Sequence, residues 1–185
     1  MIRPHRHLPR LFASLIVAVT AACNSGDLSV NPSTGGTLIT AAGTGSLVLD
    51  ENVLGFAALP GVSLTVTASG GKATDVLIET DGGIQVNSLS PDAVCTTDVA
   101  IFVDGAQVGP GRRVLVSNTA GVLYNVGTYG FSLATQLAPG THTIAVRAKS
   151  FTAFTAVPCY VSSGAGGSDL PGRPQLQAVL NVVSL

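Results

Sequence analysis

The feature that most constrains this chain is a repeated alternation of apolar and polar residues in short segments. In the segment VSLTVTA, residues 62–68, Val62, Leu64 and Val66 fall on one side and three hydroxyl residues fall on the other. A period of two places successive side chains on opposite faces of a β-strand. Because the apolar face needs a covering layer, the pattern predicts a half-buried strand in a layered β-protein.

Two further segments support this prediction. In DVAIFVDGAQV, residues 98–108, the dipeptide Asp104-Gly105 predicts a two-residue type I′ turn between two strands. In PGTHTIAVRA, residues 139–148, a Pro-Gly turn precedes another alternating strand. Similar segments recur to the end of the chain, and none beyond residue 22 has a helical periodicity. The sequence therefore predicts an all-β protein, an antiparallel β-sandwich of roughly eight to eleven strands.

The order of these segments resembles that of C1q/TNF-like jelly-roll domains. The resemblance rests on ALPGVSLTVTA, then VAIFVDG, then LAPGTHTIAVRA and a closing LQAVLNVVSL, and it covers most of residues 54–185. It implies a jelly-roll sandwich that assembles as a homotrimer through aliphatic and aromatic strands. An Ig-like or fibronectin-like sandwich also uses strands of the PGTHTIAV kind and remains the alternative fold.

The N-terminal residues have the pattern of a secretory signal. MIRPHRHLPR contains three arginines and no acidic residue, and LFASLIVAVTAA, residues 11–22, contains no charged residue. A membrane-spanning helix needs about 20 apolar residues, so this run is too short to serve as one. We expect residues 1–22 to form a signal-peptide helix that is removed on export.

The residues that lead into Cys23 resemble the bacterial lipobox. That motif places an aliphatic residue and two small residues before an invariant cysteine; here Thr20 holds the aliphatic place, with Val19 one step earlier. The resemblance implies a lipoprotein precursor whose mature chain begins at Cys23, with diacylglycerol on sulfur and an acyl chain such as palmitate on nitrogen. Several acyl chains give stable membrane anchoring. Asn24, in place of an aspartate, implies the outer membrane of the cell envelope. Ordinary signal cleavage that leaves Cys23 unmodified is the alternative.

The chain divides into three parts on this interpretation. Residues 1–22 are the signal peptide, residues 23–36 are the lipidated cysteine with a polar, glycine-rich tether, and residues 37–185 are a single β-sandwich domain. The third part is long enough to bury a hydrophobic core of its own.

The cysteine count agrees with lipidation. The chain has 3 cysteines, and an odd number in an exported protein leaves one without a partner. Lipidation of Cys23 would leave Cys95 and Cys159, which we expect to form a structural disulfide in an oxidising compartment.

The charge of the mature chain argues against a nucleic-acid partner. The leader holds three of the 9 basic residues, so residues 23–185 have six basic and 10 acidic residues and a net charge of −4. Nucleic-acid binding rests on a cationic surface, which this composition does not indicate.

The residues offer little for catalysis or for a cofactor. His142 is the one histidine beyond the leader, no G-x-S-x-G occurs, and Glu51 and Glu79 are the only glutamates. A serine hydrolase needs a histidine base with a positioned serine, and a glycosidase needs two carboxylates across a cleft. The glycine-rich GPGRR, residues 109–113, lacks the ending of a phosphate-binding loop and predicts a solvated loop. We therefore expect no catalytic residue and no cofactor.

The segment DVLIETDGG, residues 75–83, is a candidate calcium site. Asp75, Glu79 and Asp81 share one face by alternation, and Gly82-Gly83 predicts a turn that brings carbonyl oxygens inward. Calcium takes six to eight oxygen ligands from such groups. A solvated strand face that ends in an acidic turn accounts for the same residues without a metal, and both interpretations stay open.

Two tyrosines are candidate ligand contacts. Tyr124 and Tyr129 lie in GVLYNVGTYG, which predicts a flexible loop, and exposed tyrosine on a loop is common in binding surfaces. The alternative is that one or both plug the end of the sandwich.

Three classes of function follow from these observations. The first is a lipid-anchored, exported protein with a non-catalytic sandwich for assembly or for recognition of a glycan or protein at the cell envelope. The second is a carbohydrate- or calcium-binding module. The chain has no tryptophan to form an aromatic platform for a sugar, which counts against the carbohydrate-binding form. The third is a hydrolase, which the scarcity of histidine and glutamate disfavours.

Overall fold

The computed structural model describes residues 36–50, 53, 55–88, 93–118, 124–151, 157–164 and 176–185. The predicted signal-peptide helix, the lipobox with Cys23 and nearly all of the tether lie outside the described residues. Where the chain is described, every regular element is a β-strand, so no helix there could cross a membrane. The strands are β1 (Leu38–Ala42), β2 (Leu47–Leu49), β3 (Ala57–Ala68), β4 (Thr74–Asn87), β5 (Val94–Val103), β6 (Ala106–Ser117), β7 (Tyr124–Leu137), β8 (Gly140–Ser150), β9 (Cys159–Val161) and β10 (Val179–Ser184).

The strands form two antiparallel sheets that pack as a sandwich. The six-stranded sheet has the order β1-β10-β4-β9-β2, with β7 paired along the whole of β4, and the four-stranded sheet has the order β3-β8-β5-β6. The three-residue strands β2 and β9 can be left out and the other eight strands numbered 1 to 8 in chain order. The two sheets then have the strand orders 1-8-3-6 and 2-7-4-5. That order defines a jelly roll of two interleaved Greek keys. The predicted all-β, jelly-roll sandwich is confirmed, and the Ig-like alternative is not adopted.

The core lies between the inner faces of the two sheets. In β4, alternate residues such as Ile78 and Ile84 are fully buried, and in β8 Ile144 and Val146 meet them from the other sheet. Val62, like Val66 on the same face of β3, is buried as the alternation predicts. Burial of apolar area on both inner faces is the main term that stabilises such a sandwich.

Strand β5 departs from simple alternation because residues 99–102 are all buried. Phe102 points away from the core, yet it is only 8% exposed. The ring of Phe56 contacts it edge-on with centroids 5.1 Å apart, and the guanidinium of Arg147 lies 4.6 Å from its centroid. Side chains on the outer face of the four-stranded sheet therefore form a partial third layer.

The turn between β5 and β6 has the predicted type I′ geometry. Asp104 and Gly105 both have positive φ, 51° and 83°, which the right-handed twist of a two-residue hairpin requires. The carboxylate of Asp104 accepts a hydrogen bond from the backbone N–H of Thr143, at 2.8 Å. This bond fastens the hairpin to β8.

The disulfide joins the two sheets. Cys95 in β5 and Cys159 in β9 are bonded, with their Cα atoms 5.7 Å apart, and both are fully buried. The bond closes a loop across a sequence separation of 64 residues. The predicted pairing is confirmed, and it crosses the sandwich core.

The prediction of a loop at GPGRR is wrong. These residues belong to β6, whose ladder with β5 shifts register between Val99 and Ile101. Gly109 has a φ of 63°, which glycine adopts without steric cost. A bulge of this kind lets an edge strand absorb glycine and proline and then resume pairing, so Arg112 and Arg113 lie on a strand.

Candidate functional site

The three acidic residues of β4 lie on the outer face of the six-stranded sheet, as the alternation predicts. Asp75, Glu79 and Asp81 are all exposed. Strand β4 runs on to Asn87, so the turn predicted at Gly82-Gly83 is wrong. In an extended strand Glu79 and Asp81 are about 7 Å apart and Asp75 is about 20 Å from Asp81. The three carboxylates therefore cannot converge on one ion, and the described part of the chain holds no group of three or more metal-ligating side chains.

The two glycines serve close packing instead of a turn. A Cβ at Gly82 would lie 2.7 Å from the hydroxyl of Tyr129, and a Cβ at Gly83 would lie 2.7 Å from the Cβ of Leu176. On opposite faces of β4, the tyrosine ring and Leu176 thus take the space that side chains would need.

Tyr129 is not on a loop. It lies within β7, is 5% exposed and tilts against Phe131 with ring centroids 6.5 Å apart. Burial raises the pKa of its phenol well above the usual range. The loop placement is wrong because β7 starts at Tyr124, whose side chain is not described, and Tyr129 packs inside the sandwich.

A polar row crosses the outer face of the six-stranded sheet beside these carboxylates. The register aligns Thr40 of β1 with Asn181 of β10, Asn181 with Glu79, and Glu79 with Ser132 of β7. The hydroxyl of Thr40 donates to the amide oxygen of Asn181, at 2.8 Å. This bond fixes the amide of Asn181, whose residue is the register partner of Glu79 on the same face of the sheet.

A groove of about 310 Å³ opens over this row. Asp81 stands beside it and faces Gly130 of β7, which has no side chain to fill the space. The lining residues are Glu79, Thr80, Asp81, Phe131, Ser132 and Asn181. They supply two carboxylates, the exposed hydroxyl of Ser132 and an amide, and no cation, while the buried hydroxyl of Thr80 donates to the carbonyl of Val179.

Partial burial raises the pKa of Asp81, and a backbone hydrogen bond opposes this in part. A carboxylate held in such a place favours a hydrogen-bond donor that restores the solvation it has lost. Its negative charge, with that of Glu79, repels anions. The groove therefore suits a ligand that donates hydrogen bonds and carries no negative charge.

Asn181, Ser132 and Thr40 cannot be singled out from the sequence, because only the pairing register of the strands brings them to Glu79. Each is a small polar residue on an alternating strand, which is ordinary for a solvated face. The three meet Glu79 only because β1, β10, β4 and β7 are neighbours, and β10 lies about a hundred residues beyond β4 in the chain. No local signal marks them.

His142 and Ser162 both have hydrogen-bond partners within the fold. His142 contacts Asp104 and the carbonyl of Ala138. Ser162 has a positive φ of 68°, a conformation often found at functional serines, but its buried hydroxyl accepts a bond from the N–H of Ala178 and donates to the carbonyl of Ser163. These contacts hold the segment before β10 against the end of β9.

Comparisons with known proteins give the following similarities. No protein-family model and no curated protein sequence matches the chain. Among solved structures, Eiger TNF from S. frugiperda is 12% identical, with a TM-score of 0.38, over 80% of this chain and 92% of that one. A family 35 carbohydrate binding module from an environmental isolate is 14% identical, with a TM-score of 0.29, over 77% and 87%. Another, from Clostridium thermocellum, is 13% identical, with a TM-score of 0.27, over 77% and 96%. At these sequence identities and TM-scores, the likeness concerns only the course of the strands and gives no information about a ligand or an assembly.

Proposed function

We propose that this chain is an exported, lipid-anchored recognition domain without catalytic activity, and that it binds a neutral, polyhydroxylated ligand such as an uncharged glycan. The groove on the six-stranded sheet carries this proposal. It combines two carboxylate acceptors with the fixed amide of Asn181 and the hydroxyl of Ser132 on a rigid sheet.

The chemistry of the groove supports a neutral glycan over an anionic ligand. Sugar hydroxyls donate to carboxylates and accept from amides, and charged acceptors give the stronger hydrogen bonds. A cation-free lining disfavours phosphates and uronates. The chain has no tryptophan, so we expect weak single-site affinity that an array of anchored copies compensates by avidity.

Binding to a panel of neutral and uronate-containing oligosaccharides tests this proposal. We expect the chain to bind at least one neutral oligosaccharide and to lose about 10- to 100-fold in affinity on Glu79→Gln or Asp81→Asn, because a charged hydrogen bond contributes about 1.5–3 kcal/mol. Asp75→Asn is the matched control: it lies on the same strand and face, bonds Gln136 and is outside the groove. A loss as large in Asp75→Asn, or binding restricted to uronates, would contradict the proposal.

The membrane anchor is the second part of the proposal. It is supported by the leader of residues 1–22 and by the resemblance to a lipobox at Cys23. Cys23→Ala should abolish incorporation of labelled palmitate and move the protein from the membrane fraction to the soluble fraction after a high-salt wash, which removes proteins held by charge alone. Retention of both in this variant would show that the chain is not lipidated at Cys23.

The homotrimer that the C1q/TNF-like resemblance implies stays a prediction. Light scattering on the Cys23→Ala chain measures the mass of the assembly directly. A trimer would give each particle three grooves and increase avidity for a repeating glycan. A monomer would leave the glycan proposal intact and remove the assembly prediction.

A further inference from the structure

The outer face of the four-stranded sheet, opposite the groove, carries ordered rows of cationic and apolar side chains. The pairing of β8, β5 and β6 places Lys149, Asp98 and Arg113 side by side in one row. In the next row Arg147 lies beside Ala100. Adjacent strands are about 4.8 Å apart and successive outward residues about 7 Å apart, so the cations form one compact group.

Charge on this face is not balanced. Arg113 donates two hydrogen bonds to Asp98, at 2.7 and 3.1 Å, and the Nζ of Lys149 is 3.9 Å from the same carboxylate. The side chain of Arg147 makes no ion pair or hydrogen bond with the described residues; its guanidinium lies over the ring of Phe102, and its Nε is buried without a hydrogen-bond partner. Three cations on this face thus share one carboxylate, which leaves the face with a net positive charge.

Apolar side chains border the cations on one side. Phe151 and Leu115 are 42% and 64% exposed. Phe151 follows β8, and its backbone N–H donates to the carbonyl of Thr96 in β5. Thr96 pairs in turn with Leu115 of β6, so the two apolar side chains lie close together. The guanidinium of Arg113 lies 3.1 Å from the ring centroid of Phe151. Leu115 and Phe151 therefore project beside the cationic rows and have no covering layer among the residues that the structure places.

The opposite face of the sandwich has the opposite charge. Asp75, Glu79 and Asp81 point outward from β4, and no described outward residue of β1, β4, β7 or β10 is basic. The domain is consequently polarised across its thickness, although the mature chain as a whole is acidic. Because the Debye length is about 8 Å at physiological salt, a nearby anionic surface would respond mainly to the cationic face.

We propose that this face, defined by Arg113, Arg147, Lys149, Leu115 and Phe151, docks the domain onto an anionic lipid surface. Basic residues supply attraction to the headgroups, and the exposed leucine and phenylalanine enter the interface, where apolar side chains bordered by cations are favoured. A soluble polyanion would use the cations and gain nothing from Leu115. Docking in this orientation turns the acidic groove away from the membrane. The inference is independent of the ligand proposed for the groove.

Vesicle binding by the Cys23→Ala chain tests the inference without the lipid anchor. Vesicles of phosphatidylcholine with about 30% phosphatidylglycerol are compared with vesicles of phosphatidylcholine alone, which report binding through the apolar residues of the leader. Each basic residue near such a surface contributes about fivefold in affinity, so Arg147→Gln with Lys149→Gln should lose about 30-fold. Lys72→Gln removes one positive charge in the β3–β4 turn, outside the face, and should change affinity less than twofold, whereas either single substitution in the face should cost about fivefold.

Two further variants keep the test decisive if the double substitution disturbs folding. Arg147→Lys with Lys149→Arg keeps the charge and should keep binding to anionic vesicles. Leu115→Ser keeps every charge and should weaken vesicle binding severalfold, while binding to an acidic polysaccharide stays unchanged. Equal losses for Lys72→Gln and the double variant, or binding to the polysaccharide with none to vesicles, would overturn the inference.

Discussion

The Nδ1 atom of His142 lies 2.7 Å from the carboxylate Oδ2 of Asp104, and its Nε2 atom lies 2.8 Å from the carbonyl oxygen of Ala138. Both partners are acceptors, so the ring satisfies both only when it carries two protons. The contact ties the β5–β6 turn to the β7–β8 turn at one end of the sandwich. Asp104 and the Ala138 carbonyl raise the pKa of His142, and His142 lowers the pKa of Asp104.

The first prediction concerns stability against pH. Because the pKa of His142 is raised above its usual 6.5 in the folded state, its contribution is fully present below about pH 6.5 and is lost as the pH rises through the folded value. The lowered pKa of Asp104 makes its contribution present above its usual 3.8 and lost as the pH falls through the folded value. We therefore expect Tm to fall between pH 6 and pH 8 relative to His142→Gln, whose pH profile should be flatter. Parallel Tm profiles for the two proteins would contradict this prediction.

The second prediction concerns the disulfide. Cys95–Cys159 closes a loop with a sequence separation of 64 residues, and the chain-entropy model assigns such a crosslink roughly 4 kcal/mol. We expect Cys95→Ala with Cys159→Ala to lower the free energy of unfolding by about that amount, measured by urea denaturation. The reduced wild-type chain serves as the control, because it lacks the crosslink and keeps both side chains. A change below about 1 kcal/mol in both would show that the crosslink constrains the unfolded state little.

Local signals in the sequence predicted the parts of the fold that local physics decides. The alternation in residues 62–68 and the Asp104-Gly105 turn depend on neighbours in the chain, and both predictions are confirmed. The disulfide followed from composition, since lipidation of Cys23 would leave a single pair. The jelly-roll strand order agrees with a rhythm of strands and turns that extends over most of the domain.

The candidate site could not be predicted in the same way, because glycine has two opposite uses. In the sequence, Gly82-Gly83 and Gly109 predict a turn and a loop, yet all three glycines lie in strands. Gly82 leaves room for the ring of Tyr129 from the neighbouring strand β7, and Gly109 allows a bulge in β6. The partner that requires each glycine is distant in sequence, so register decides the outcome and periodicity alone does not.

The third prediction follows from the contact between Gly82 and Tyr129. Gly82→Ala would place a methyl group 2.7 Å from the buried tyrosine hydroxyl, with the Cα of Ala178 at 3.0 Å on the other side. Overpacking of this kind costs about 1–3 kcal/mol, and we expect that loss in the free energy of unfolding. Gly71→Ala is the matched control, because no atom lies within 4 Å of its added methyl group and it should be nearly neutral. If the two variants are equally stable, the ring does not occupy the space above Gly82.

The last prediction concerns the buried side-chain amide of Gln85, near the C-terminal end of β4. Gln85 is 1% exposed, pairs with Val126 and Tyr160, and has no hydrogen-bond partner for either its Oε1 or its Nε2 atom. An unpartnered buried polar group costs about 1–3 kcal/mol, and methionine has a similar length and volume without that cost. We expect Gln85→Met to raise the free energy of unfolding by about 1–3 kcal/mol in urea denaturation.

Gln107→Met controls for a general effect of methionine in a strand. Gln107 is exposed on β6, where its amide donates to the carbonyl of Gly109 at 3.2 Å, and surface changes of this kind stay within about 0.5 kcal/mol. A stabilised Gln85→Met beside an unchanged Gln107→Met would locate the gain in the buried amide. A destabilised Gln85→Met would contradict the prediction, because it would mean that the amide contributes a favourable interaction, such as a hydrogen bond to a bound water.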